Sequence, residues 1–273
     1  MSRPAVSPPE ASALDLLRRG TIEVEGRLVT ASNATLYASI SVGDLRGHCV
    51  YKPVAGERPL WDFPDGTLGH REVAAYELSA ATGWDVVPPT VWRDGPFGPG
   101  SVQLWVDEVA EPALVDVVPL DEVPDGALPV LQAEDSAGDP VLLVHADDER
   151  LQRMAVLDAV INNADRKAGH VLLTESGRVH GVDHGVCFNV DDKLRTVLWG
   201  WSGQPLPVWS VDVLGCLAEG LRSTGTSSLG SRLRRHLSRP EVECTAERAE
   251  RLLTAGRLPR PPLHGPRIPW PPF

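Results

Sequence analysis

Residues 21 to 42, TIEVEGRLVTASNATLYASISV, alternate apolar and polar side chains on either side of a Ser32-Asn33-Ala34 tip. This is the pattern of two strands joined by a tight turn. The stretch GHCVYKPV then reads as a third strand that Pro53 ends. A Pro/Gly-rich loop over residues 54 to 68 follows, and HREVAAYELSAATG reads as a helix stopped by Gly83. The segment VVPPTVWRDGPFGPGSVQLWVDEV supplies two more strands around a Gly/Pro turn. Upstream, residues 12 to 19 read as a short helix ending at Gly20, behind a lead-in expected to be disordered.

Beyond residue 108 the pattern changes. Residues 109 to 140 are acidic, rich in Pro and Gly and weakly periodic, and are expected to be a linker or lobe boundary. DDERLQRMAVLDAVI predicts a helix, with Leu151, Met154, Val156, Leu157 and Val160 on its apolar face. HVLLTE and RVHGVDHG then form a strand pair across a Ser176-Gly177 turn. Residues 208 to 221 and 241 to 256 read as helices, with Pro240 suited to a first helical position. The last sixteen residues, 258 to 273, are Pro-rich and expected to be extended. The expected division is a lead-in at 1–19, a β-rich lobe at 20–108, a mostly helical lobe at 109–257 and a tail at 258–273. The expected class is therefore α+β with two lobes.

Composition narrows the partners. The chain has 273 residues, of which 42% are hydrophobic, enough for a real core. A formal net charge of −11 disfavours nucleic acid and anionic membrane surfaces. No apolar run approaches the ~20 residues of a membrane helix, and the N-terminus lacks the apolar stretch of a signal peptide. Cys49, Cys187, Cys216 and Cys244 are widely spaced with no CxxC, so reduced, mostly buried thiols and a cytoplasmic setting are expected.

The chemistry-bearing stretch is INNADRKAGHVLL, residues 161 to 173. Asn162, Asn163, Asp165, Arg166, Lys167 and His170 crowd between two apolar runs. A capped turn explains one of these residues but not their arrival together. Phosphate-loop, dinucleotide-fingerprint, zincin and nucleophile-elbow patterns are absent. What remains is Lys52 on a strand, Glu72 on the next helix, Asp165 in the polar loop and Asp183 on the later strand pair. Phosphoryl transfer needs such an inventory: a lysine on phosphate, a glutamate holding it, an aspartate on the acceptor and an aspartate on the metal. Glu77 competes with Glu72 as the lysine's partner. A rival reading makes His180, His184 and Cys187 a zinc site, since H-x3-H-x2-C is metal-like. Gly181 and Gly185 argue against the helix that would align those histidines. Trp199, Trp201 and Trp209 are expected in the core, with acceptor contact left open.

NNADRKAGH followed by VDHG resembles the catalytic and metal loops of the phosphatidylinositol 3- and 4-kinase superfamily, type II phosphatidylinositol 4-kinases above all. GHREVAAYELSAATG resembles the lysine-partner helix of the Golgi casein-kinase family. The whole chain resembles a high-GC bacterial family of kinase-like proteins. The resemblance implies an atypical kinase-like fold that binds ATP with magnesium or manganese. It places Lys52, Asp165 and Arg166 in catalysis, and Asp183 and His170 on the metal. Ser32 and Asn33 would cover the phosphates, Glu72 would hold Lys52, and backbone at Trp105 and Val106 would meet the adenine. His170 stands where the superfamily usually has asparagine, and the first hairpin tip has no glycine. The implied activity is phosphoryl transfer to a hydroxyl of a metabolite, protein or lipid. A nucleotide-binding regulatory pseudokinase and an AMP transferase are the alternatives.

Overall fold

The computed structural model describes residues 10–28, 34–58, 60, 62–63, 68–109 and 111–273. The expected hairpin tip at Ser32 and Asn33 lies outside these residues. The fold is α+β, with antiparallel sheets and six α-helices among the described residues.

Helix α1 (Glu10–Arg19) leads into strand β1 (Thr21–Arg27), which pairs with β2 (Leu36–Val42), and β2 pairs with β3 (Leu45–Pro53). After α2 (Leu68–Thr82) come β4 (Thr90–Gly95) and β5 (Gly98–Leu104), and β5 inserts between β3 and β4. The resulting sheet has the order β1-β2-β3-β5-β4. Its inward face carries Ile40, Cys49, Tyr51, Val91 and Val102, all closed over by Leu16 and Leu17 of α1. Period-two alternation thus works as expected here, with one face dry and the other carrying Lys52. Gly83 ends α2 in the left-handed conformation at φ 69°.

Residues 109 to 140 correct the sequence reading. They contain no long linker but most of a second sheet: β6 (Val115–Pro119), β7 (Leu128–Glu134) and β8 (Pro140–His145), in the order β6-β8-β7. Only the residues nearest the body of the protein are buried, such as Val115, Leu143 and Val144. Five of the seven β7 positions are exposed, in a ribbon that leaves little apolar alternation to read.

Helix α3 (Glu149–Ile161) starts where the Asp148 side chain accepts a hydrogen bond from the Arg150 amide at 2.8 Å, and it ends at Asn162 with φ 54°. The short pair β9 (Val171–Leu173) and β10 (Val179–Gly181) follows. Helices α4 (Val208–Arg222), α5 (Leu229–Leu233) and α6 (Arg239–Ala255) complete the body. In α6 a Ser238–Glu241 capping box sits beside Pro240, and Gly256 at φ 60° closes the helix. The main core joins α2, α3, α4 and α6 through Leu78, Met154, Leu157, Leu214, Val242 and Ala249. Trp201 is buried in it, and Trp209 meets Trp84 edge-on at 5.3 Å between ring centres.

The Pro-rich tail bends along the surface and is tied to the body by hydrogen bonds. Arg267 O accepts from Trp199 Nε1 at 2.8 Å, and Pro272 O accepts from the Ala168 amide at 2.8 Å. All four cysteines are free: Cys49 and Cys187 are buried, Cys244 is half-buried and Cys216 is exposed, so half of the thiols rather than most are buried. No helix among the described residues is long and apolar enough to cross a membrane.

The join between β3 and β5 is tight at the position that carries Lys52. A Cβ on Gly100 would sit 2.3 Å from the Lys52 carbonyl oxygen and 2.8 Å from Pro53 Cα. Gly100→Ala is therefore expected to destabilise the protein by roughly 1–3 kcal/mol, because backbone must move to admit the methyl group. Gly26→Ala, which meets nothing within 4 Å, should stay within about 0.5 kcal/mol of the parent. Urea unfolding of both variants checks this, and equal midpoints would contradict it.

Candidate functional site

Lys52 leaves the outer face of β3 and ends between two carboxylates. Its Nζ donates to Glu72 Oε1 at 2.5 Å and to Asp183 Oδ1 at 2.9 Å. Glu72 comes from the N-terminal half of α2, and Asp183 follows β10, so three separated segments converge on one ammonium group. Glu72 is buried, and its Oε2 accepts from the His184 amide at 2.9 Å. Glu77 is elsewhere, facing Arg232 at 3.4 Å, Arg235 at 3.7 Å and His236 at 3.9 Å. Of the two competing glutamates, Glu72 is the one that meets Lys52.

The charges reinforce one another. Burial acts to lower the Lys52 pKa, but Asp183 and Glu72 outweigh it and hold the amine above its ordinary range. The Lys52 charge holds Asp183 well below the usual carboxylate range, with His170 adding to the effect. Asp183 keeps this position through a left-handed backbone, φ 60°, which costs about 1–3 kcal/mol for a residue other than glycine. Its side chain remains about half exposed, at 49%.

Asp165 opens the polar turn after α3. Its amide donates to Asn163 Oδ1 at 3.0 Å, and Lys167 Nζ lies 3.8 Å from its Oδ2. Burial pushes its carboxyl up to about 6; Lys167 opposes the rise and the nearby Asp183 charge supports it. Asn163 in turn donates to Asp158 Oδ1 at 2.9 Å, so the turn is anchored to α3.

His170 bridges Asp165 and Asp183. Its Nδ1 lies 2.9 Å from the Asp165 carbonyl oxygen. A carbonyl only accepts, so Nδ1 carries the hydrogen and Nε2 presents a lone pair when the ring is neutral. That Nε2 lies 3.5 Å from Asp183 Oδ2. Burial lowers the His170 pKa to about 4, with Asp183 opposing and the Arg166 and Lys52 charges assisting. At neutral pH an imidazole nitrogen and a carboxylate oxygen, both acceptors, thus face each other.

Arg166 corrects an expectation. It was expected among the catalytic residues, but it is fully buried and its guanidinium is spent inside the protein. Nε and Nη2 grip Asp158 at 2.8 and 2.9 Å. Nη1 donates to the carbonyls of His170 and Val182 at 3.1 and 3.0 Å, and Nη2 donates to His184 Nε2 at 2.8 Å. It positions the turn and the Asp183 segment rather than reaching solvent. Asp158 and His184 were missed as partners. A lone carboxylate within the apolar run AVLDAVI was the available signal, because a buried charge requires an opposite one.

Other expected residues fall as follows. The Trp105 amide is used by the His48 carbonyl at 3.0 Å, which removes it as a donor to a ligand. The Val106 amide makes no hydrogen bond among the described residues. Trp199 is buried and turned toward the tail. His184 of the proposed zinc set is engaged by Arg166, and among the described residues no three His, Cys, Asp or Glu side chains group to hold a metal ion.

No family model matches the chain. It is 48% identical over 267 residues to Protein Rv2133c of Mycobacterium tuberculosis (strain ATCC 25618 / H37Rv), a match covering 94% of this chain and 94% of that protein.

The raised Asp165 carboxyl has a consequence for stability. The fold holds this proton more tightly than the unfolded chain does. The associated stabilisation is complete below the ordinary carboxylate range and is lost as pH rises to about 6. Asp165→Asn removes the titration, so relative to the parent it should gain stability between about pH 4 and pH 6 and stay more stable at neutral pH. Denaturation of both proteins across that range checks it. A constant difference would show that Asp165 titrates as an ordinary carboxyl.

Proposed function

The chain belongs to the family of Protein Rv2133c, and we propose that it is an ATP-dependent phosphotransferase with a two-lobed, kinase-like architecture. The observation that carries this reading is the convergence of Lys52, Glu72 and Asp183 from three separate segments, with Asp165 beside them. Lys52 is a fixed cation at the end of the central strand of the first sheet, suited to the nucleotide phosphates. Glu72 holds it in place. Asp165 has a carboxyl poised to take a proton from an acceptor hydroxyl near neutral pH. Little covalent chemistry is asked of the protein in such a transfer, so position and charge carry the rate.

The residues also fit a divalent cation. His170 Nε2 and Asp183 Oδ2 are facing acceptors with no proton between them at neutral pH, and a cation satisfies both. Magnesium and manganese sites in phosphoryl transfer use few protein ligands and fill the rest with phosphate and water. When bound, the ion supplies shielding of phosphate charge. The adenine would meet the chain at the free Val106 amide rather than at Trp105. The net charge of −11 argues against nucleic acid as the acceptor and leaves a hydroxyl of a metabolite, protein or lipid.

Two expected outcomes test the reading. Lys52→Met alone would strand Glu72 as a buried, unpaired carboxylate, so it is combined with Glu72→Gln. The double variant should stay folded and bind a non-hydrolysable ATP analogue roughly ten-fold or more weakly, through loss of a charge-assisted phosphate contact. Asp165→Asn should bind it within a few-fold of the parent but lose phosphate transfer, because a base acts in the transition state. Calorimetry and a phosphate-transfer assay measure the two effects. Parent-like affinity in the double variant overturns the nucleotide site. Binding without transfer by the parent itself would assign a nucleotide-dependent regulatory module.

A third outcome concerns the cation. Imidazole favours manganese over magnesium. The parent should therefore bind nucleotide more tightly with manganese, and His170→Asn should narrow that gap. Affinities with each metal decide the matter, and an unchanged ratio would remove His170 from the site.

A further inference from the structure

A cavity of about 400 Å³ lies between the end of α3, the second half of α6, the 192–194 segment and the start of the tail. None of Lys52, Glu72, Asp165, His170 or Asp183 lines it. Its apolar surface comes from residues such as Leu194, Trp199, Leu252 and Leu258. Around that surface stand four arginines, Arg248, Arg251, Arg257 and Arg260, against the single carboxylate of Asp192. In a chain with a net charge of −11, this is a local reversal of sign.

The arginines are not consumed by internal partners. Asp192 is shared between Arg248 Nε at 3.1 Å and Arg251 Nη2 at 3.0 Å. Arg248 is buried, at 4% exposure, and its Nη1 has no hydrogen-bond partner, although Nη2 meets the Asn189 and Val190 carbonyls. A buried guanidinium donor without an acceptor is costly, so this side chain keeps its positive charge against the cavity wall without spending all its donors. Arg257 uses one nitrogen on the Gly203 carbonyl at 2.9 Å. Arg260 is exposed and makes no hydrogen bond or ion pair among the described residues. The planar fork of arginine matches carboxylate and phosphate oxygens in pairs. The volume suits a small organic molecule rather than a bare ion.

We propose that this cavity is a binding site for an amphipathic organic anion, with a phosphate or carboxylate head on the arginines and an apolar body against Leu194, Trp199 and Leu252. The inference does not depend on the nucleotide reading. The site has a direct link to the polar turn. Asn162 lines the cavity, and its side chain accepts from the Lys193 amide at 2.8 Å and donates to the Asn189 and Asp191 carbonyls at 3.0 and 2.6 Å. A ligand here therefore rests on the residues that join α3 to the segment following Asp183.

Calorimetric titration with phenyl phosphate and, separately, benzoate tests the site and distinguishes the two head groups. Inorganic phosphate and benzyl alcohol are the controls. At least one of the organic anions should bind, with both controls weaker by roughly ten-fold or more, since each lacks one half of the recognition. Arg251→Ala combined with Arg260→Ala removes two exposed arginines and should weaken binding by roughly ten-fold or more. Arg222→Ala combined with Arg239→Ala removes equal charge elsewhere on the helical surface and should bind as the parent does. Three results would overturn the proposal: neither organic anion binding, inorganic phosphate binding as tightly as phenyl phosphate, or both double variants behaving alike.

Discussion

The contact on which the other polar contacts depend is the buried pair of Arg166 and Asp158. Both side chains are fully shielded from water. Isolated, either charge would be intolerable at that depth, and truncating one member of such a pair costs about 3–5 kcal/mol. Together they form a two-pronged clamp whose remaining donors reach the carbonyls of His170 and Val182 and the ring of His184. One guanidinium thereby fixes the end of α3, the turn that carries His170 and the backbone that delivers Asp183. From there the order passes outward. His184 presents its amide to Glu72, Glu72 holds Lys52, and Lys52 holds Asp183.

This arrangement explains which parts of the protein could be read from the chain. The first sheet was legible because its middle strands β2 and β3 have a dry face and a wetter one, as in Ala38 and Ile40 on either side of Ser39. Helix α3 was legible because Leu151, Met154 and Leu157 recur at helical spacing. The second sheet was not. Its ribbon is shallow, so Val117 and Leu131 remain exposed and the alternation that marks a strand is blurred by Pro and Asp residues. Helix α5, only five residues long, leaves too short a record for periodicity to register.

Within the site, types and order were readable but direction was not. Lys52, Glu72 and Asp183 have the composition of one cluster, and they meet. Arg166 sits in a hydrophilic run, where a charged residue ordinarily faces water. Its inward turn depends on Asp158, which is eight residues earlier and embedded in an apolar helix face. Only the packed structure brings these two facts together. Likewise the sequence offers His170 as a candidate, but the ring nitrogen that faces Asp183 is decided by the Asp165 carbonyl behind it.

The position of β1 at the end of the first sheet has a separate implication. An end strand leaves backbone donors and acceptors unpaired and is the natural place for two copies to stick together and begin an aggregate. Here the strand is short and almost entirely exposed, with Ile22 its one buried residue. A register shift between Val24 and Gly26 bends it out of line. Glu23 and Glu25 project from it, so a second molecule approaching edge to edge in antiparallel fashion would bring like charges into opposition. The strand that closes the sheet thus also keeps it from growing beyond a single molecule.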